Sequence, residues 1–138
     1  MTVRVSTDPA DVDVDAVARF LHDEAYWSLG RPRDVVERSL AASRVFSLVD
    51  EDGAMLAFAR VVTDGVTFGW ICDLFVVEQH RGRGLGHQLV EAIVADPDLS
   101  AMKRLMLATA DAHGVYADVG FTPLHRPDRW MERSGSGS

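Results

Sequence analysis

A chain of 138 residues, 47% of them apolar and 25% charged, has the make-up of one globular domain, with room for a real core and none for a second. Its formal net charge of −7 argues against a nucleic-acid partner, and its single cysteine, Cys72, excludes an internal disulfide and a multi-cysteine metal site. No apolar stretch approaches the roughly 20 residues of a membrane span, and the polar start through Asp8 has no signal-peptide core, so the expectation is a cytoplasmic protein with no membrane partner.

Val3 and Val5 alternate with polar residues and predict a short strand ending at Asp8-Pro9. Val14, Val17, Ala18 and Leu21 fall at helical spacing behind Asp11 and Asp13, so a helix is expected over 12–25. Tyr26-Trp27-Ser28-Leu29-Gly30-Arg31-Pro32 breaks that pattern, and Pro32 can open a second helix reaching Ala42. Strands follow over 45–49, 54–62 and 66–77, punctuated by Asp52-Gly53 and Asp64-Gly65, which predicts an antiparallel meander. A third helix is expected from Gly84 to just before Asp96-Pro97, then a strand over 104–109. Asp111 is expected to cap a short fourth helix carrying Val115, Tyr116 and Val119 and closed by Gly120. Phe121 starts a further strand, and 129–132 reads as the last. Residues 1–133 form a single domain on this reading, and Ser134-Gly135-Ser136-Gly137-Ser138 reads as a flexible linker-like tail.

The most informative stretch is 74–87. The apolar run Leu74-Phe75-Val76-Val77 stops at Glu78-Gln79-His80, and charge and glycine then alternate through Arg81, Gly82, Arg83, Gly84, Leu85, Gly86 and His87. From Leu85 the apolar spacing is helical through Leu89, Val90, Ile93 and Val94. A strand, a glycine-rich turn and a helix start together make an anion cradle. Helix N-termini present unpaired N–H groups and the positive end of the macrodipole, and glycine lets a phosphate approach the backbone. No Gly-Lys dipeptide exists, which excludes a P-loop. A dinucleotide fingerprint needs G-x-G-x-x-G and an acid about 20 residues on; the spacing here is G-x-G-x-G, followed at that distance by basic Lys103-Arg104.

The remaining pattern is R-x-x-G-x-G, read as Arg81, Gly84 and Gly86 after an apolar strand, and it resembles the acetyl-CoA loop of the GNAT N-acetyltransferase superfamily. The element order β-α-α-β-β-β-α-β-α-β-β resembles that family over essentially the whole chain outside the tail. A second patch, Ala112-His113-Gly114-Val115-Tyr116-Ala117-Asp118-Val119-Gly120-Phe121, looks like the family's A-x-x-x-Y-x-x-x-G-F segment. The resemblance implies a mixed α/β (α+β) fold with a mostly antiparallel central sheet of six or seven strands flanked by four helices. It implies acetyl-CoA as co-substrate, its pyrophosphate on the amides of Gly82 to His87 and its pantetheine on the backbone at Leu74, Phe75 and Val76. It also implies Tyr116 as the acid that protonates the leaving thiolate, a step that needs a proton at sulfur. Thr109 stands where the family often has a cofactor-contacting asparagine.

Other candidates are read from the residues themselves. Asp73 is the one charge in the run 66–77, so its carboxylate must be paired, hydrogen-bonded or open to a cavity. Amine recognition or general-base work and a structural hydrogen-bond anchor are both open readings. Tyr26 and Trp27 can wall an acceptor pocket or plug a helix end, and Arg31 and Arg33 can be solvent charges or select an acidic acceptor. Cys72 reads as core, and the five histidines lack metal-ligand spacing, so no metal is expected. The leading reading is an N-acetyltransferase for a primary amine of a small molecule or peptide, acting by direct attack, as a monomer or homodimer. A non-catalytic acyl-CoA sensor and a transferase of longer acyl groups are the alternatives.

Overall fold

The computed structural model describes residues 2–136. The chain runs through β1 (Val3–Ser6), α1 (Val14–Asp23), α2 (Arg33–Ala41), β2 (Arg44–Asp50), β3 (Met55–Thr63) and β4 (Phe68–Val76). It continues through α3 (Leu85–Ala95), α4 (Pro97–Ser100), β5 (Arg104–Met106) and α5 (His113–Ala117). The strands form one five-stranded sheet in chain order. The first four pair antiparallel, and β5 joins β4 in parallel.

The local chemistry behind this order is direct. Asp13 caps α1, its carboxylate accepting from Ala16 N–H at 3.0 Å. The β2–β3 turn closes on Asp50, whose carboxylate accepts from the N–H groups of Asp52 and Ala54. Asp64 does the same for Val66 and Thr67 at the β3–β4 turn. These side-chain bonds replace the ladder bonds that a tight turn cannot make, so the meander forms where the Asp-Gly pairs predicted it.

Both faces of the sheet are covered. Phe46, Leu48, Ala57, Ala59, Val61 and Ile71 pack against Leu85, Leu89 and Ile93 of α3. Val45, Phe58 and Phe75 pack against Val17 and Leu21 of α1 and Val36 of α2. Double coverage explains why residues 55–59 of β3 are all buried, without the alternation of a half-exposed strand. No helix among the described residues is long and apolar enough to cross a membrane.

The architecture is the expected mixed α/β fold, with corrections in its last third. Among the described residues the sheet has five strands instead of six or seven, and there are five α-helices instead of four. The extra helix is α4, where Pro97 follows Asp96 and that carboxylate accepts from the N–H groups of Asp98 and Leu99. The third helix ends before Asp96-Pro97 as expected, and Pro97 at N1 then starts the unforeseen one. The expected strands at Phe121 and over 129–132 are absent from the described residues. Pro123 and Pro127 supply no N–H for a ladder, and Pro127–Arg129 forms a 3-10 turn. Trp130 instead lies under the Arg104 guanidinium, 4.9 Å from the ring centroid. The strand expected over 104–109 stops at Met106.

Candidate active site

The site begins with a defect in β4. Phe58 pairs with Phe75 and Arg60 with Cys72, so β4 spends one residue more than β3 across that interval. Such a bulge bends the strand that carries it. Asp73 sits in the bulge at φ 55°, the one left-handed residue besides glycine among the described residues. On the other edge of β4, pairing with β5 runs from Phe68↔Arg104 only to Trp70↔Met106. Close approach there needs Gly69, since a Cβ on it would lie 2.7 Å from Leu105 Cδ1. Beyond Trp70 the two strands part, and that edge of β4 makes no ladder bonds.

The parting opens a cavity of about 620 Å³. Tyr26, Trp27 and Arg31 from the α1–α2 loop line it, with Arg60 of β3, residues 70–74 of β4, the 108–112 segment, and Tyr116 of α5. Val77 N–H bonds to Leu56 O on β3, so the Val76 carbonyl, on the opposite side of that peptide, faces the free edge.

That edge leads to the glycine turn. Gly82 and Gly84 have φ of 81° and 75°, a region that costs a side-chain-bearing residue about 1–2 kcal/mol. The first backbone bond of α3 is Gln88 N–H to Gly84 O at 3.0 Å. Among the described residues, the N–H groups of residues 82–87 have no acceptor. Gly86 has ordinary helical geometry, and a Cβ on it would meet Val76 Cγ2 at an unstrained 3.6 Å. The Arg81 side chain lies away from this tip. Its Nε donates to Val76 O at 3.0 Å and its Nη2 reaches Glu24 at 3.7 Å. His87 pairs through its ring with Glu91 at 2.7 Å, which leaves its backbone N–H as the group facing the tip.

Tyr116 is brought to the cavity by α5. It is 9% exposed, its ring edge-on to Phe121 at 5.9 Å, and its hydroxyl has no hydrogen-bond partner among the described residues. Burial first, then the negative field of Asp111 and the nearness of Tyr26, pushes its pKa above the usual 10.0. A phenol so placed keeps its proton. Asp111 does not cap α5 as expected. No side chain caps α5; Thr109 holds the turn that precedes it, its hydroxyl accepting from the N–H groups of Asp111 and Ala112 at 3.4 and 3.1 Å.

Asp73, 3% exposed at its side chain, is held by three donors. Trp27 Nε1 donates to Oδ1 at 2.8 Å; Arg31 Nη1 and Arg60 Nε donate to Oδ2 at 3.0 and 2.6 Å. Arg60 also donates to Ser43 Oγ at 3.2 Å. Trp27 is thereby fixed to the sheet. Tyr26 stands edge-on to it at 5.1 Å and accepts from Ala110 N–H at 3.1 Å, joining the α1–α2 loop to the 108–112 segment. Leu74 lines the cavity, whereas the Phe75 ring is buried on the other face and stacked on Phe20 at 4.2 Å, so only its backbone is available. Burial raises the Cys72 thiol pKa, which keeps it protonated.

Arg60 was missed in the sequence. The signal was there: it is the one charge between Met55 and Val62, as Asp73 is in the next strand. Two lone opposite charges on neighbouring antiparallel strands call for pairing. Arg33, considered with Arg31 for acceptor choice, lies outside the cavity lining and pairs with Asp15 and Glu37 on the surface.

This arrangement can be set beside known proteins. The pattern of the acetyltransferase (GNAT) family matches residues 14–121. A Gibberella zeae protein provisionally named an acetyltransferase is 32% identical in a match that covers 78% of this chain and 71% of that protein. A crystal structure from Xanthomonas campestris, described as an acetyltransferase assigned to the GNAT family, superposes with a TM-score of 0.92 at 41% identity, covering 99% of this chain and 96% of that one. A Clostridium acetobutylicum structure described as a predicted acetyltransferase with acetyl-CoA shares the fold alone, at TM-score 0.64 and 18% identity over 96% of this chain and 95% of the other. With a family match across most of the chain and a relative of that identity, the protein belongs to the GNAT acetyltransferase family.

Proposed function

We propose that the protein transfers an acetyl group from acetyl-CoA to a primary amine by direct attack, with Tyr116 as general acid. One observation carries the reading. The acceptor-free amides of residues 82–87 follow the β4 edge that is unpaired beyond Trp70 and lines the cavity with Tyr116, the Val76 carbonyl on it being held by Arg81 Nε. Amides at a helix tip suit a pyrophosphate, and a free strand edge suits the two amides of a pantetheine arm. Arg83, exposed beside the tip, adds positive charge. Arg81 contributes if its guanidinium leaves Val76 O, which would also free that carbonyl for pantetheine.

The chemistry asked of the side chains is small. The amine nitrogen attacks the thioester carbonyl, the C–N bond forms, and the C–S bond breaks. Tyr116 gives its proton to the departing sulfur and regains one from solvent; the nitrogen loses its proton to water. Tyr26 and Trp27 wall the acceptor side, and Thr109 shapes the turn beneath it. For Asp73 we favour the anchoring role. Three donors already occupy its carboxylate, so it orients Trp27, Arg31 and Arg60 and does not act as the base.

The test is release of free thiol from acetyl-CoA with a panel of amines, alongside calorimetric titration with CoA. Turnover with saturable CoA binding supports the reading. Binding without turnover across the panel would turn it toward an acyl-CoA sensor, and absence of CoA binding would end it.

A further inference from the structure

Resting on the reading above, we propose that the acceptor is a small amine that also bears an oxyanion, carboxylate or phosphate, and that this group docks on Arg31 and Arg60. Two guanidiniums meet one carboxylate at the back of the cavity: Arg31 (+1), Arg60 (+1) and Asp73 (−1) leave one positive charge without a partner. Both are well covered, with side-chain exposures of 11% and 15%. In a chain of net charge −7, an unmatched buried cation is not a product of bulk composition. It is costly to the fold unless something neutralises it.

The hydrogen bonding points the same way. The guanidinium is a rigid fork of several N–H donors. Among the described residues, only Arg31 Nη1, Arg60 Nε and Arg60 Nη1 of the pair's donors have partners. Arg31 Nε is fully buried and has none there. Two planar, positively charged guanidiniums in the lining of one cavity are the usual recognition chemistry for carboxylate and phosphate.

The same cavity also carries the opposite sign. Asp111, an exposed residue, lines it and acts electrostatically on Tyr116. A dipolar acceptor therefore fits, its anion on the arginines and its ammonium drawn to the side of Tyr116 and Asp111. Asp73 and Asp111 are the acids lining the cavity, and Asp73 is already spent on the guanidiniums. A polyamine would place a second cation against the arginines and should be rejected.

Matched amines test this. β-Alanine is compared with propylamine, ethanolamine phosphate with ethanolamine, and putrescine serves as the dication. The oxyanion-bearing member should lead in kcat/KM by about ten- to a hundredfold, the range of one charge-assisted hydrogen-bonded contact. The phosphate and carboxylate arms tell which oxyanion is preferred. Arg31→Met should collapse that ratio toward one while CoA binding is unchanged. Arg31→Lys keeps the charge for Asp73 and serves if the first variant unfolds; it should retain part of the ratio. Independently of turnover, β-alanine and ethanolamine phosphate should shift the Arg31 Nε–H and Trp27 Nε1–H resonances of the wild-type protein, and propylamine should not. Failure of every amine to release thiol, with those shifts present, would sink the transferase reading and keep the docking site. Equal turnover of neutral and anionic amines, or no resonance shift with either oxyanion, overturns the inference.

Discussion

Replacing Asp73 separates a structural anchor from a catalytic base. Asp73→Ala removes the partner of two covered guanidiniums and the acceptor of the Trp27 indole N–H. Breaking a buried ion pair from one side costs about 3–5 kcal/mol, because the remaining charges stay buried. Alanine also tolerates the φ of 55° less well than aspartate, which adds to the loss. For a domain of this size the sum corresponds to a fall in Tm of about 10–20 °C. Asp73→Asn keeps an oxygen for Trp27 and tolerates the left-handed backbone but also leaves the guanidiniums without a carboxylate, so its cost should sit at the low end of that range, about 3 kcal/mol. Urea unfolding of the three proteins, compared at constant m, reads these differences directly. The same proteins are then assayed for acetyl transfer below saturation and at saturation. The anchor role predicts that Asp73→Asn raises the acceptor KM and leaves kcat within about tenfold, whereas loss of a general base lowers kcat by about 10²–10⁴. Asp73→Ala as stable as wild type, or Asp73→Asn fully stable with kcat reduced more than about a hundredfold, would refute the anchoring.

Tyr116→Phe should lower kcat by at least about a hundredfold and leave the calorimetric affinity for CoA unchanged. The Tyr116 pKa is raised in the fold, so its neutral form contributes stability that is complete below the unfolded value near 10.0 and is lost as pH rises through the folded one. Alkaline melts of Tyr116→Phe should therefore show a smaller stability loss than wild type above that pH. Gly84→Ala must hold a left-handed φ of 75° and should cost about 1–2 kcal/mol, read by denaturant unfolding, while weakening CoA binding. Gly86→Ala is the informative contrast. Its backbone is helical and its Cβ is accommodated against Val76, so the free protein should gain up to about 1 kcal/mol in denaturant unfolding.

What was legible in the sequence was whatever local chemistry decides. The meander was readable because Asp50 and Asp64 close its turns with their own side chains. The tip of α3 was readable because only glycine takes the conformations at 82 and 84 without strain. The last third was not, because Phe121 and 129–132 have strand-forming residues but no neighbour that pairs with them among the described residues, and pairing is a tertiary property. Asp96-Pro97 is the stop it looked like and also a start, since an Asp-Pro pair serves a helix end and a helix beginning alike. In the site, lone Asp73 announced that it needed a partner, yet its left-handed φ and its third donor arise only from the bulge and from a loop 42 residues upstream. Tyr116 was recognisable by its surroundings in the chain; the missing hydrogen-bond partner for its hydroxyl was not.

The Asp73 cluster has a bearing on how this protein could be re-engineered. The side chains proposed to shape the acceptor wall, Trp27 and Arg31, are also pegs that fasten a loop to a bent strand. On that proposal acceptor choice and folding robustness are wired to the same atoms. A library randomising that loop would return many unfolded members and few retuned ones unless Asp73 and Arg60 were varied in step, so changes of appetite here should arrive in sets instead of singly.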